Sequence, residues 1–133
     1  MTNQEIIDFL VDGCIAMLDE SNRITLDENT INSYLLSVQW AEELDDYEFA
    51  PETEKRLVDD LTKFLSSRHG QYTLDNYLME KVVHDFHLTR NRYGAGFWDG
   101  DYPTWLGDYL TRESHKFPEI EFYVGDDGLI YCL

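Results

Sequence analysis

The sequence predicts an α+β fold: a helical N-terminal part of about four helices, then a small antiparallel sheet of about four strands with one helix between two hairpins. Three observations predict it. Apolar residues recur at helical spacing through residues 1–79. From Phe86 the pattern turns toward alternation, punctuated by Tyr93-Gly94-Ala95-Gly96 and Gly125-Asp126-Asp127-Gly128. At 133 residues, 43% of them hydrophobic and 14% aromatic, the chain has enough apolar material for one core. Residues 1–133 therefore read as a single domain, acidic and helical over 1–79 and mixed over 80–133.

The elements follow in order. Thr2-x-x-Glu5 forms a capping box before Ile6, Ile7, Leu10, Cys14, Met17 and Leu18, which share a helix face. Thr25-x-x-Glu28 opens a second helix, with Ile31, Leu35, Val38 and Trp40 as its buried stripe and an end near Leu44. Pro51 suits the first turn of a third helix, which buries Leu57, Val58, Leu61, Phe64 and Leu65 and stops at Gly70. Thr73 caps a fourth, with Leu74, Tyr77, Leu78 and Val82 inward. Asp85–Arg90 and Ala95–Asp99 read as a hairpin. A helix over Trp105–Lys116 buries Leu106, Tyr109, Leu110 and Phe117, and Pro118 ends it. Strands Glu119–Val124 and Leu129–Leu133 close the chain around the Gly-Asp-Asp-Gly turn.

Charge narrows the function classes. Asp and Glu number 27 against 10 Lys and Arg, a net charge of −17. Residues 1–67 carry sixteen acids and four bases, and Glu42–Glu54 alone holds seven acids in thirteen residues. No basic cluster exists for direct nucleic-acid binding. No run approaches a membrane span, and the acidic N-terminus does not read as a signal peptide, so a cytoplasmic protein is expected. A globule of this length is about 36 Å across. Duplex DNA of that length carries roughly 21 charges. The net charge of −17 is of the same order, enough to imitate about ten base pairs of phosphate. The plainer reading is a solvated face that keeps the protein soluble.

The chemistry-bearing motifs are thin. From Asp99, calcium-loop spacing puts Pro103, Thr104 and Leu110 where ligands and the loop glycine belong, so an EF-hand fails. Asp126-Asp127 sits where a hairpin turn favours Asp for its backbone. His84 and His87 share a helical spacing with Glu80 and Asp85 nearby, but no fixed third metal ligand. They read as helix-end or core-edge residues, with a small metal-dependent hydrolase as the least favoured use. Cys14 and Cys132 form neither a disulfide framework nor a nucleophile site. No cofactor, metal or catalytic residue is expected. Residues 86–105 combine arginines with aromatics, which suits either an interface or a core seam. In the seam reading, Arg90 and Arg92 pair with Asp99 and Asp101.

Asp85-Phe86-x-Leu88-Thr89-Arg90-Asn91-x-x-Gly94-Ala95-Gly96-Phe97-Trp98-Asp99, followed by Asp126-Asp127-Gly128-Leu129-Ile130-Tyr131, resembles a family of small acidic proteins of tailed bacteriophages, over about residues 80–133. The resemblance carries no activity and no catalytic residue. It implies a phage or prophage gene expressed in bacterial cytoplasm. Proteins of that kind are often inhibitors of host machinery, including DNA mimics acting on restriction enzymes, nucleases or CRISPR effectors.

The expectation is a non-enzymatic inhibitor of a host defence or nucleic-acid-processing enzyme. Its partner is a host protein with a basic nucleic-acid-binding groove. Glu42, Glu43, Asp45, Asp46, Glu48, Glu52 and Glu54 would stand in for phosphates, supported by Asp8, Asp12, Asp59 and Asp60. The alternative is a non-inhibitory interaction module using an aromatic surface of Tyr93, Trp98, Tyr102 and Trp105.

Overall fold

A computed structural model describes residues 23–133. The first predicted helix, with Asp8, Asp12 and Cys14, lies outside the described residues. The elements are α1 (Glu28–Ala41), β1 (Glu48–Phe49), α2 (Pro51–Leu65), α3 (Arg68–Asn76), α4 (Met79–Arg90), α5 (Thr104–Ser114), β2 (Phe122–Val124) and β3 (Leu129–Cys132). The fold is α+β, as expected, with five helices and one three-stranded sheet among the described residues.

Helix α1 starts from Asp27, whose carboxylate accepts from the Thr30 backbone N–H at 2.7 Å. That bond holds Asp27 below the usual carboxylate range, and an ionised cap suits the helix dipole. The cap is thus Asp27, two residues beyond the expected Thr25. The helix ends at Ala41 in a Schellman turn, with Glu43 left-handed at φ 58 and Leu44 N–H donating to Gln39 carbonyl at 2.8 Å. Helix α2 opens on Pro51 with Glu52 and Glu54 in its first turn, a favoured place for acids.

Gly70 does not stop α2. The helix ends at Leu65, and Ser67 caps α3 by accepting from Gly70 N–H at 3.0 Å. Gly70 is instead a close-approach residue: a Cβ there would lie 2.7 Å from Leu65 Cα. Thr73 is correspondingly a buried mid-helix residue and not a cap; its hydroxyl donates to His69 carbonyl at 2.6 Å.

The expected hairpin over Asp85–Arg90 and Ala95–Asp99 is replaced by helix and turn. Asp85–Arg90 is the C-terminal half of α4, and Ala95–Asp99 holds no strand. Helix α4 is buried on several sides at once, with Val82, Val83, Phe86, Thr89 and Arg90 inside. Its C-terminal end closes as α1 does: Arg92 is left-handed at φ 58 and Tyr93 N–H donates to Leu88 carbonyl at 2.9 Å.

The sheet has three strands in the order β1-β3-β2 and is mixed, where four antiparallel strands were expected. The last hairpin is antiparallel, pairing Phe122 with Cys132, Tyr123 with Tyr131 and Val124 with Ile130. Its third strand comes from the acidic stretch: β1 runs parallel to β3, with Glu48 beside Leu129 and Phe49 beside Ile130. A two-residue strand has no periodicity to read, and its partner lies eighty residues away.

The core joins all the helices. Tyr34 and Val38 of α1 meet Leu57, Leu61, Phe64 and Leu65 of α2, Val82, Val83 and Phe86 of α4, and Leu106, Tyr109 and Leu110 of α5. Phe64 stacks on Phe86 with centroids 4.3 Å apart, and Phe117 meets Phe86 edge-on at 5.3 Å. Trp40, expected in the buried stripe of α1, stands 67% exposed, and Leu78 is exposed too.

Candidate partner-binding surface

The seven carboxylates of Glu42–Glu54 divide into two groups. Glu42 turns inward. Its carboxylate accepts from Tyr93 hydroxyl at 2.6 Å and from Asn91 Nδ2 at 3.1 Å, and meets His87 Nε2 at 3.1 Å. Partial burial pushes Glu42 up, but these hydrogen bonds and the His87 charge outweigh it and hold Glu42 below the ordinary range. Burial and the same carboxylate push the Tyr93 phenol up. Asn91 also exchanges bonds with Ile120, Nδ2 donating to its carbonyl at 3.1 Å and Oδ1 accepting from its N–H at 2.8 Å. Glu42 is therefore the hub that ties α1 to α4 and to the strand region, and not a displayed charge.

The other six, Glu43, Asp45, Asp46, Glu48, Glu52 and Glu54, are exposed, and none forms an ion pair among the described residues. Asp59 is exposed but held by Lys55 at 2.9 Å. Asp60 faces Arg90 at 2.9 Å. Arg90 is fully buried, its Nε and Nη2 donate to Pro118 carbonyl, and its guanidinium lies over Phe86 and Phe117. Its Nη1 lacks hydrogen-bond alignment with Asp60 despite the short approach, so this contact is an ion pair only. Arg90 and Arg92 were expected to meet Asp99 and Asp101; they meet Asp60 and Glu119 instead. Asp101 is taken by Lys81, and Asp99 accepts from Gly96 N–H.

The parallel β1–β3 pairing places one of these carboxylates, Glu48, in the sheet. Because Glu48 stands beside Leu129, the segment before β1 runs toward the Gly125–Gly128 turn that precedes β3. Glu48 pairs with Leu129, two residues from Tyr131, so its side chain shares the sheet face of Tyr123 and Tyr131. The outward face of that sheet carries Tyr123 and Tyr131, paired across the hairpin and stacked with centroids 5.7 Å apart. Tyr47, between the acids, is also exposed. Tyrosines among free carboxylates suit protein contact, because Tyr supplies large contact area at low entropy cost.

The alternative aromatic set does not form one exposed surface. Trp98 is 53% exposed, and Tyr93 is exposed while bonded to Glu42. Tyr102 is buried and donates to Asp85 at 2.9 Å, and Trp105 is half-buried against Tyr72 and His69. The anchors absent from the sequence reading are Tyr123 and Tyr131. Their signal was the alternation on either side of Gly125–Gly128, which places both on the sheet face opposite Ile130.

His84 and His87 also part ways. His87 is fully buried on Glu42, whereas His84 lies edge-on to Trp40 at 5.5 Å. No group of three or more His, Cys, Asp or Glu able to hold a metal occurs among the described residues. Among them, no helix is long and apolar enough to cross a membrane. The chain matches no family model, no curated protein and no solved structure.

Proposed function

We propose that the protein acts by binding, as a phage-encoded inhibitor of a host defence or nucleic-acid-processing enzyme, and that its acidic face occupies a basic groove that otherwise holds nucleic acid. The observation carrying this reading is the six exposed carboxylates of residues 43–54, none of which forms an ion pair among the described residues. Unpaired acids repel one another and gain nothing from the fold, apart from Glu52 and Glu54 at the start of α2. A basic groove would release the counterions they condense, as it does on binding phosphates. Cytoplasmic residence in a bacterial host belongs to the same proposal.

The test is capture from bacterial lysate on the wild-type protein, eluted along a salt gradient. It runs in parallel with a variant carrying Gln or Asn at Glu43, Asp45, Asp46, Glu48, Glu52 and Glu54. The expected result is a nucleic-acid enzyme that leaves at moderate salt and is absent from the variant. A partner that both proteins hold through high salt would refute the acidic reading. That partner would support the interaction module, for which the half-exposed Trp98 is the remaining anchor.

A further inference from the structure

At the hairpin end of the sheet lies an open cavity of about 530 Å³, lined by Tyr123, Val124, Gly125, Asp126, Asp127 and Tyr131. We propose that this cavity is an arginine-recognition site, taking one arginine side chain from the basic partner. The proposal rests on the binding function above and adds where and how one anchor residue is read.

The chemistry is specific to a guanidinium. Two stacked tyrosine rings offer π faces, and a planar guanidinium lies flat on such a face while its edge N–H groups stay free. Asp126 is exposed and has no hydrogen-bond or ion-pair partner among the described residues, so its carboxylate is available to those N–H groups. A lysine ammonium is a compact, strongly hydrated charge and uses the ring faces less well.

The site is also built in advance. The Tyr131 hydroxyl donates to Asp127 Oδ2 at 2.5 Å, and Leu129 N–H donates to Asp127 Oδ1 at 3.0 Å. These bonds hold Asp127 below the usual carboxylate range and push the Tyr131 phenol up to about 12, so the pair keeps one charge and one proton across physiological pH. Tyr131 lies close over Gly125: a Cβ there would come 2.7 Å from Tyr131 Cε2. Glycine at 125 is what lets the ring lie down beside the turn.

Fluorescence anisotropy with labelled nona-arginine and nona-lysine peptides tests the site, using wild type and a Tyr123→Leu, Asp126→Asn variant. Both positions are exposed, and circular dichroism checks that the variant folds. Gly125→Ala, which crowds Tyr131 and Asp127 Oδ1 while leaving the net charge unchanged, serves as a second variant. Nona-arginine is expected to bind wild type at least tenfold more tightly than nona-lysine at equal ionic strength. Both variants should lose that preference while still binding nona-lysine. Equal binding of the two peptides by wild type, or a preference that survives in both variants, would overturn the arginine site and leave the charge reading standing. Salt-insensitive binding, or no binding of either peptide, would overturn both.

Discussion

Replacing Glu42 with Ala separates a structural carboxylate from a displayed one. The substitution removes an acceptor shared by three donors on α4 and the loop after it. Asn91 keeps its bonds to Ile120, so it loses one hydrogen bond, about 1 kcal/mol. Tyr93 is exposed and turns to water, at about 0.5 kcal/mol. His87 is the costly one: fully buried, its Nδ1 already meets no partner among the described residues, and Nε2 would join it. An orphaned buried polar group costs about 1–3 kcal/mol. The three together come to about 3 kcal/mol, a large share of the roughly 5–15 kcal/mol that holds a domain of this kind. With a urea slope of about 2 kcal/mol per molar, the unfolding midpoint should fall by about 1.5 M. Glu43→Gln, one residue away and exposed, should leave the midpoint within about 0.2 M. The pH dependence carries the same signature. Glu42 binds its proton more weakly when folded, so its stabilisation is whole above the ordinary glutamate value near 4.5 and is lost as pH falls through the lower folded value. Stability measured across that acid window should therefore fall less steeply in Glu42→Ala than in wild type. Equal midpoints for Glu42→Ala and wild type would refute the hub.

Other substitutions probe the frame around it. Arg90→Met strips the partner from Asp60 and from Pro118 carbonyl, and should cost about 3–5 kcal/mol in urea unfolding; a loss under about 1 kcal/mol would contradict the pairing of the buried Arg90 with the half-buried Asp60. Gly70→Ala drives a Cβ against the Leu65 backbone and should cost about 1–3 kcal/mol, seen as a lower thermal midpoint; an unchanged midpoint would mean that α2 and α3 part freely. Trp98→Ala should leave stability within about 0.5 kcal/mol, and a loss of partner affinity above about 2 kcal/mol by calorimetry would move the binding surface to that turn.

The parts of the fold legible in sequence were those with local causes. Pro51 at the first turn of α2 and the glycine-framed turn before β3 declare themselves through backbone preference alone. The helix over 104–114 was legible from its apolar spacing and from Pro103 before it. Helix α4 misled because it buries polar residues. Asp85, His87, Thr89 and Arg90 are all inside, each held by a named partner, so counting apolar residues alone leaves Phe86 and Leu88 as a false alternation. Those partners come from α1, α2 and the loops, and no local pattern carries them. The same holds for the surface. Glu42 and Glu43 look alike in the sequence, yet the Schellman turn at the end of α1 puts one on His87 and the other in water. Strand β1 is assigned only by its parallel register with β3, and that register puts Glu48 on the face of Tyr123 and Tyr131.

In the proposed function, the exposed carboxylates of residues 43–54 stand in for the phosphates of a bound nucleic acid. The most direct measurement is competition on the captured partner: titrate this protein into the partner's complex with a short labelled DNA or RNA duplex, at several salt concentrations. The account predicts mutually exclusive binding, with full release of the duplex and an affinity that falls steeply as salt rises. It also predicts that the variant neutralised at Glu43, Asp45, Asp46, Glu48, Glu52 and Glu54 releases none. A stable ternary complex of partner, duplex and this protein would contradict it.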